Sequence, residues 1–303
     1  MRCFYLLIIV NILILLCYFY QNNWSFSSGF FIRRAGLLYK DLDILNPISF
    51  GIYGGCLFLS CFCVLVKYKH LFPRLIINAA WFFLIIGLFN LIISTSRGPI
   101  LSTILTTMVI AFITYSDSKK TFNFYNKILT ILFIIFISGT LVLSYISVNN
   151  IEIGIFNRFK LMKENSQTGK KETRVDLYSE AFEMFKSSPI IGKRFVTESK
   201  YSGGAYPHNI FLEIMMALGL LGLFFFIIIM YNLYKKISSL RRESAYYLFF
   251  FCLLVFFFWM AQVTGSLFNN FELWILSATM FSLKNNCDFS EPLFSNKISH
   301  TIL

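Results

Sequence analysis

The sequence predicts an all-α integral membrane protein of about eight transmembrane helices, with one large external loop that contains an amphipathic helix. Three observations predict this class. The composition is 57% hydrophobic and only 14% charged, with 37 Phe and a mean hydropathy of +0.67, far from soluble domains. Apolar runs recur, most of them long enough to cross about 30 Å of hydrocarbon. Basic residues fall in every second connection between those runs.

The expected spans are residues 3–20, 47–66, 75–94, 99–115, 128–148, 210–230, 247–267 and 273–283, the last being short. No small-residue cleavage site follows the first, so it reads as a retained helix and not as a signal peptide. Orientation comes from the short connections. Lys67, Lys69 and Arg74 follow the second span, Lys119, Lys120 and Lys127 the fourth, Lys235, Lys236, Arg241 and Arg242 the sixth, and Lys284 the eighth. This is the positive-inside pattern with both termini cytoplasmic. The net charge of +12 is therefore a signature of topology, and nucleic acid need not be invoked as a partner.

The chain then divides into residues 1–148, the first membrane helices with an outward Ser96-Arg97-Gly98 motif; 149–208, a large external loop; and 209–303, the C-terminal membrane helices and a cytoplasmic tail. The long loop is rich in Lys and Arg, but long loops cross a membrane largely regardless of charge. Of the seven cysteines, Cys3, Cys17, Cys56, Cys61, Cys63 and Cys252 fall within spans and Cys287 in the tail, so no disulfide framework is expected. No Cys/His cluster, phosphate-cradling glycine loop or acidic metal triad occurs, and the expected chemistry uses neither metal nor cofactor.

Within the polar stretch, Ser166-Gln167-Thr168-Gly169 reads as a turn. A helix is expected from Thr173, with Thr173 as cap and Asp176 in the first turn. Leu177, Ala181, Met184 and Phe185 form its apolar stripe, and Ser187-Ser188-Pro189 ends it. Arg174 in that first turn opposes the helix dipole, which points to a partner anion. Ser202-Gly203-Gly204 reads as a hinge before Tyr206-Pro207-His208-Asn209, where the next apolar helix begins. Arginines and a histidine gathered at one membrane face suit an anionic, membrane-borne substrate.

Ser96-Arg97-Gly98, Glu172-Thr173-Arg174, Ser188-Pro189-Ile190-Ile191-Gly192, Pro207-His208-Asn209, Leu212-Glu213 and Gly219-Leu220-Leu221-Gly222 follow one another in an order that resembles the O-antigen ligase and polymerase superfamily of bacterial envelope glycosyltransferases. Arg34, Gly36 and Asn46-Pro47 are similar to its upstream element. The resemblance covers roughly residues 30–280, with fewer spans than the ten or more usual in the family. It implies transfer of an oligosaccharide from an undecaprenyl diphosphate carrier to an acceptor sugar on the outer side of the bacterial cytoplasmic (inner) membrane.

In that chemistry the leaving group is a lipid diphosphate. Guanidinium groups neutralise the charge that builds on it through bidentate hydrogen bonds, and they stay protonated. Arg97 and Arg174 match the family's arginines and are the expected diphosphate clamp. His208, whose ordinary pKa lies near neutrality, is the candidate base for the acceptor hydroxyl. The bland alternative is that it caps the following helix through Asn209. Arg34, Asn209 and Glu213 are expected to bind substrate. A carboxylate one turn inside a span is costly, and Glu213 is read as orienting His208 or pairing with an arginine.

Arg33 reads as an interfacial anchor, and His70 and His300 as incidental. Asn90 and Gln262 are expected to bond neighbouring helices. Polymerisation of a surface polysaccharide is the preferred activity and ligation of glycan to lipid A–core the alternative. A polysaccharide-lipid transporter is the reading from another class, disfavoured because no internal repeat is evident and the polar groups cluster at one face. Implied partners are membrane lipid, a chain-length regulator and a flippase.

Overall fold

The computed structural model describes residues 2–21, 37–39, 42–69, 72–117, 173–197, 206–243 and 247–283. The expected fifth span, residues 149–171, the Ser202-Gly203-Gly204 hinge, and Arg33, Arg34, Gly36, His70, Lys119, Lys120, Lys127, Lys284, Cys287 and His300 lie outside the described residues.

Eight helices are described: α1 (Arg2–Gln21), α2 (Pro47–Val66), α3 (Arg74–Ile93), α4 (Arg97–Asp117), α5 (Thr173–Ser187), α6 (Ile210–Glu243), α7 (Tyr247–Met260) and α8 (Phe271–Ser282). By length and composition, α2, α3 and residues Ile210–Leu240 of α6 can each cross a membrane, and four shorter apolar helices accompany them. The one departure from an all-helical chain among the described residues is a small antiparallel hairpin, β1 (Leu37–Tyr39) with β2 (Leu42–Leu45), which pairs Leu38 with Asp43 and Tyr39 with Leu42. It leads straight into α2. Asn46 Oδ1 accepts from Ser49 N–H at 2.8 Å and Pro47 occupies the first helical turn, so the start of α2 is doubly specified.

The central helix is α2, buried along most of its length from Gly54 to Leu65. Glycines let its neighbours close in. A Cβ on Gly87 of α3 would press on the Phe58 backbone, one on Gly54 would meet the Gly87 carbonyl, and one on Gly55 would meet Phe256 of α7 and Thr103 of α4. Between α3 and α1, Asn90 Nδ2 donates to Asn11 Oδ1 at 2.9 Å in a fully buried pair, so Asn90 bonds a neighbouring helix as expected.

Two helices end elsewhere than hydropathy places them. Past the apolar run, α6 continues to Glu243 through Lys235, Lys236 and Arg241, residues with good helix propensity. α7 stops at Met260, not at residue 267, and residues 261–270 form an irregular connection to α8. Gln262 therefore lies in that connection and not in a span. α4 and α6 begin, and α3 and α7 end, at one face of the bundle. The described basic residues Lys67, Lys69, Arg74, Lys235 and Lys236 sit at the opposite helix ends.

Candidate active site

Residues 206–210 and the connection 261–270 are zipped together at that face. Ile210 N–H donates to the Ala261 carbonyl at 3.0 Å, and Asn209 Nδ2 donates to the Gln262 carbonyl at 3.3 Å. His208 Nδ1 lies 3.1 Å from the Gly265 carbonyl. A carbonyl oxygen can only accept, so Nδ1 carries the proton and Nε2 keeps its lone pair, the arrangement a general base requires. Asn209 also caps α6: its Oδ1 accepts from Leu212 N–H at 3.1 Å and its carbonyl from Glu213 N–H at 3.0 Å.

His208 is half-buried, with its ring edge-on to Tyr206 at 5.0 Å between centroids. Burial pushes its pKa below the ordinary histidine value. The Gly265 hydrogen bond opposes that push, and the Arg174 guanidinium adds to it. Arg174 therefore acts on His208 electrostatically although 34 residues separate them in sequence (208 − 174).

The turn that follows α5 is joined to α6 at a break in that helix. Gly219 takes φ 64° and ψ −158°, a conformation open essentially to glycine alone. Leu220 N–H then donates to the Pro189 carbonyl at 2.8 Å, and Leu221 N–H to the Ile190 carbonyl at 3.1 Å. Lys193 N–H closes the joint on the Met216 carbonyl at 2.9 Å. Backbone groups freed inside an apolar helix are thus satisfied by the turn that follows α5, as a low-dielectric environment demands. Ala181 and Met184 of α5 pack on Met216 of α6, so the second half of α5 and the turn that follows it are both attached to α6.

Arg97 opens α4 and is half-buried. Its neighbour Gly98 faces the same 261–270 connection: a Cβ there would lie 3.2 Å from Val263 Cγ2. Just before the motif, Thr95 is buried with φ 49°, a left-handed conformation that costs a β-branched residue about 1–3 kcal/mol. Among the described residues Thr95 and His208 are the two non-glycines with positive φ, and both belong to this site. Backbone strain is concentrated where the candidate chemistry sits.

Glu213 is buried at 1% exposure. Its Oε2 accepts from Leu267 N–H at 2.7 Å, and its Oε1 has no partner among the described residues. Beside the site, a groove of about 380 Å³ runs along α6, lined by Ile191, Leu218, Phe225, Phe226, Leu267 and Trp274. Among the described residues no group of three or more His, Cys, Asp or Glu is placed to hold a metal ion.

The structure thus ties His208, Asn209 and Glu213 to one connection by hydrogen bonds, the Arg97 motif packs on the same connection, and the Arg174 charge bears on His208. Sequence reasoning missed the connection itself: Gln262, Gly265 and Leu267 supply its backbone contacts. Gly265 and Asn269-Asn270 were the available turn signal inside an otherwise apolar run.

Fold and site together define a multi-helix membrane protein with an arginine- and histidine-bearing site at one end of its bundle. Residues 82–227 match the family model described as O-antigen ligase, a similarity that supports the O-antigen ligase and polymerase superfamily. The match contains Arg97, Arg174, His208, Asn209 and Glu213, and ends before the 261–270 connection. It supports an enzyme of glycan transfer. Searches of curated proteins and of solved structures return no match.

Proposed function

We propose that this protein polymerises a surface polysaccharide by transferring an oligosaccharide from undecaprenyl diphosphate to an acceptor sugar at the outer face of the cytoplasmic membrane. Both termini and the basic helix ends then lie in the cytoplasm, and residues 149–208 outside. The acceptor hydroxyl gives its proton to His208 Nε2 as its oxygen attacks the anomeric carbon. The bond from that carbon to the diphosphate oxygen breaks, and its electron pair leaves with the lipid diphosphate. Arg97 and Arg174 neutralise the charge that accumulates there, with Arg34 and Asn209 assisting at the headgroup. The sugar arrives already activated by its diphosphate, so the scheme draws on no nucleotide or metal.

The observation that carries this reading is the 3.1 Å contact of His208 Nδ1 with the Gly265 carbonyl, which asks Nδ1 to donate and so leaves Nε2 of the neutral ring free to accept a proton. The apolar groove that adjoins the site suits a substrate held in the bilayer. The experiment is to supply purified protein in liposomes with a repeat unit on undecaprenyl diphosphate, with and without lipid A–core. Elongation of the lipid-linked chain is the expected result. Transfer to the core sugar would instead identify a ligase, and movement of the lipid without bond formation a transporter. His208→Gln, which hydrogen-bonds but accepts no proton near neutral pH, should elongate at least about 100-fold more slowly. Near-normal elongation by that variant would make His208 a cap.

A further inference from the structure

Glu213 takes no part in that scheme, yet it is the one charged-type side chain that is buried among the described residues. Burying a carboxyl group in an apolar helix is expensive, so its contacts identify its purpose. It is not needed as a cap for α6, because Asn209 already accepts from Leu212 and Glu213 N–H. Its Oε2 reaches across to Leu267 N–H in the α7–α8 connection instead.

Leu267 is held at both of its backbone groups, its N–H by Glu213 of α6 and its carbonyl by Trp274 Nε1 of α8 at 2.9 Å. Asn270 Nδ2 holds the Ser266 carbonyl at 2.7 Å. Two residues back is Gly265, at φ 75°, with no side chain to fix its own orientation and with the carbonyl that receives His208 Nδ1–H. Two residues span at most about 7 Å, so an anchor at Leu267 limits where the Gly265 carbonyl points. In familiar acid–base pairs a carboxylate orients the histidine directly; here a backbone carbonyl takes that place and the carboxylate stands one step behind it.

We propose that Glu213 is a positioning residue: it anchors the 265–267 backbone so that the Gly265 carbonyl keeps His208 in the Nδ1–H tautomer with Nε2 free to accept a proton. The effect on rate rests on the glycan-transfer reading; the effect on the tautomer does not. Two variants separate anchor from charge. Glu213→Met conserves volume and removes the acceptor, whereas Glu213→Gln keeps an oxygen that can accept from Leu267 N–H while removing the charge.

The protein has three histidines, so ¹⁵N-histidine spectra of the full chain in nanodiscs are tractable, with His208→Gln giving the assignment. The wild type should show His208 as a single Nδ1–H tautomer. Glu213→Met should mix in the Nε2–H form and lower kcat about 10- to 100-fold with the KM for the lipid-linked donor unchanged. Glu213→Gln should restore the tautomer and most of the rate. A pure Nδ1–H tautomer in Glu213→Met, or a folded Glu213→Gln that loses it, would overturn the anchor. A donor KM that rises in both variants would overturn it in favour of direct substrate binding. Tautomer changes in a protein that transfers no glycan would uphold the anchor and refute the function.

Discussion

Between α2 and α3 the backbones are brought together by Gly54 and Gly87, whereas the start of α6 and the connection after α7 are joined by hydrogen bonds that His208, Asn209 and Ile210 donate and one that Glu213 accepts. The first pairing is close-packed, and its neighbouring polar pair, Asn90 with Asn11, is spent on helix association. The second leaves regular helix geometry and strains His208. Apolar packing needs only shape, and any good fit will do. Holding an imidazole in one tautomer beside a guanidinium needs directional bonds, which means irregular backbone at a depth where every freed polar group must find a protein partner.

The sharpest way to break this contrast is to alter geometry at constant charge. Arg97→Lys and Arg174→Lys should each slow glycan transfer about 30- to 1000-fold, equivalent to about 2–4 kcal/mol in the transition state, because Lys lacks the bidentate fork. Membrane levels should stay normal. Full activity in either variant would remove that arginine from the clamp.

A pair of glycine substitutions compares the two regions directly. Gly87→Ala drives a methyl into the Phe58 backbone and should lower the Tm through a cost of about 1–3 kcal/mol, with kcat per folded molecule unchanged. Gly219→Ala should cost a similar amount, since its backbone conformation is closed to alanine, but it should also lower kcat by displacing α5 and Arg174. Equal kcat in the two purified variants would sever the break in α6 from the site.

The smallest effect is on pH. Only neutral His208 can accept a proton, and burial together with Arg174 favours the neutral form. The acid limb of the rate profile should therefore have its midpoint below the ordinary histidine value of about 6.5. Activity is lost as pH falls through that lowered midpoint. Arg174→Gln should move what activity remains toward a higher midpoint, and a profile that does not move would show that Arg174 leaves the histidine unaffected.

Much of the framework is legible in the sequence because hydropathy reports on burial in lipid. α2 begins and ends where the apolar run does, and α5 ends at Ser187 as its Ser-Pro stop predicts. What is not legible has a common cause. Residues 261–267 are apolar enough to pass for helix, and their contacts to His208 and Asn209 come from carbonyl groups, which every residue type carries alike. The bond from His208 to Gly265 spans 57 residues, and no local pattern encodes it. Arg97, Arg174 and His208 could be singled out because their side chains are chemically distinctive. Gly265 and Leu267 could not, and the small hairpin before α2 gave no alternation long enough to read.

The joint between Gly219 and the Pro189–Ile190 carbonyls makes the loop and the helix a matched lock and key. A donor loop transplanted from a relative to change sugar preference would arrive with its own turn, and unless that turn offers two carbonyls at the same places, Leu220 and Leu221 are stranded in hydrocarbon. Swaps that carry residues 173–222 as one cassette keep both halves of the joint, so recombination with a similar chain should be tolerated at the ends of that cassette and rejected within it.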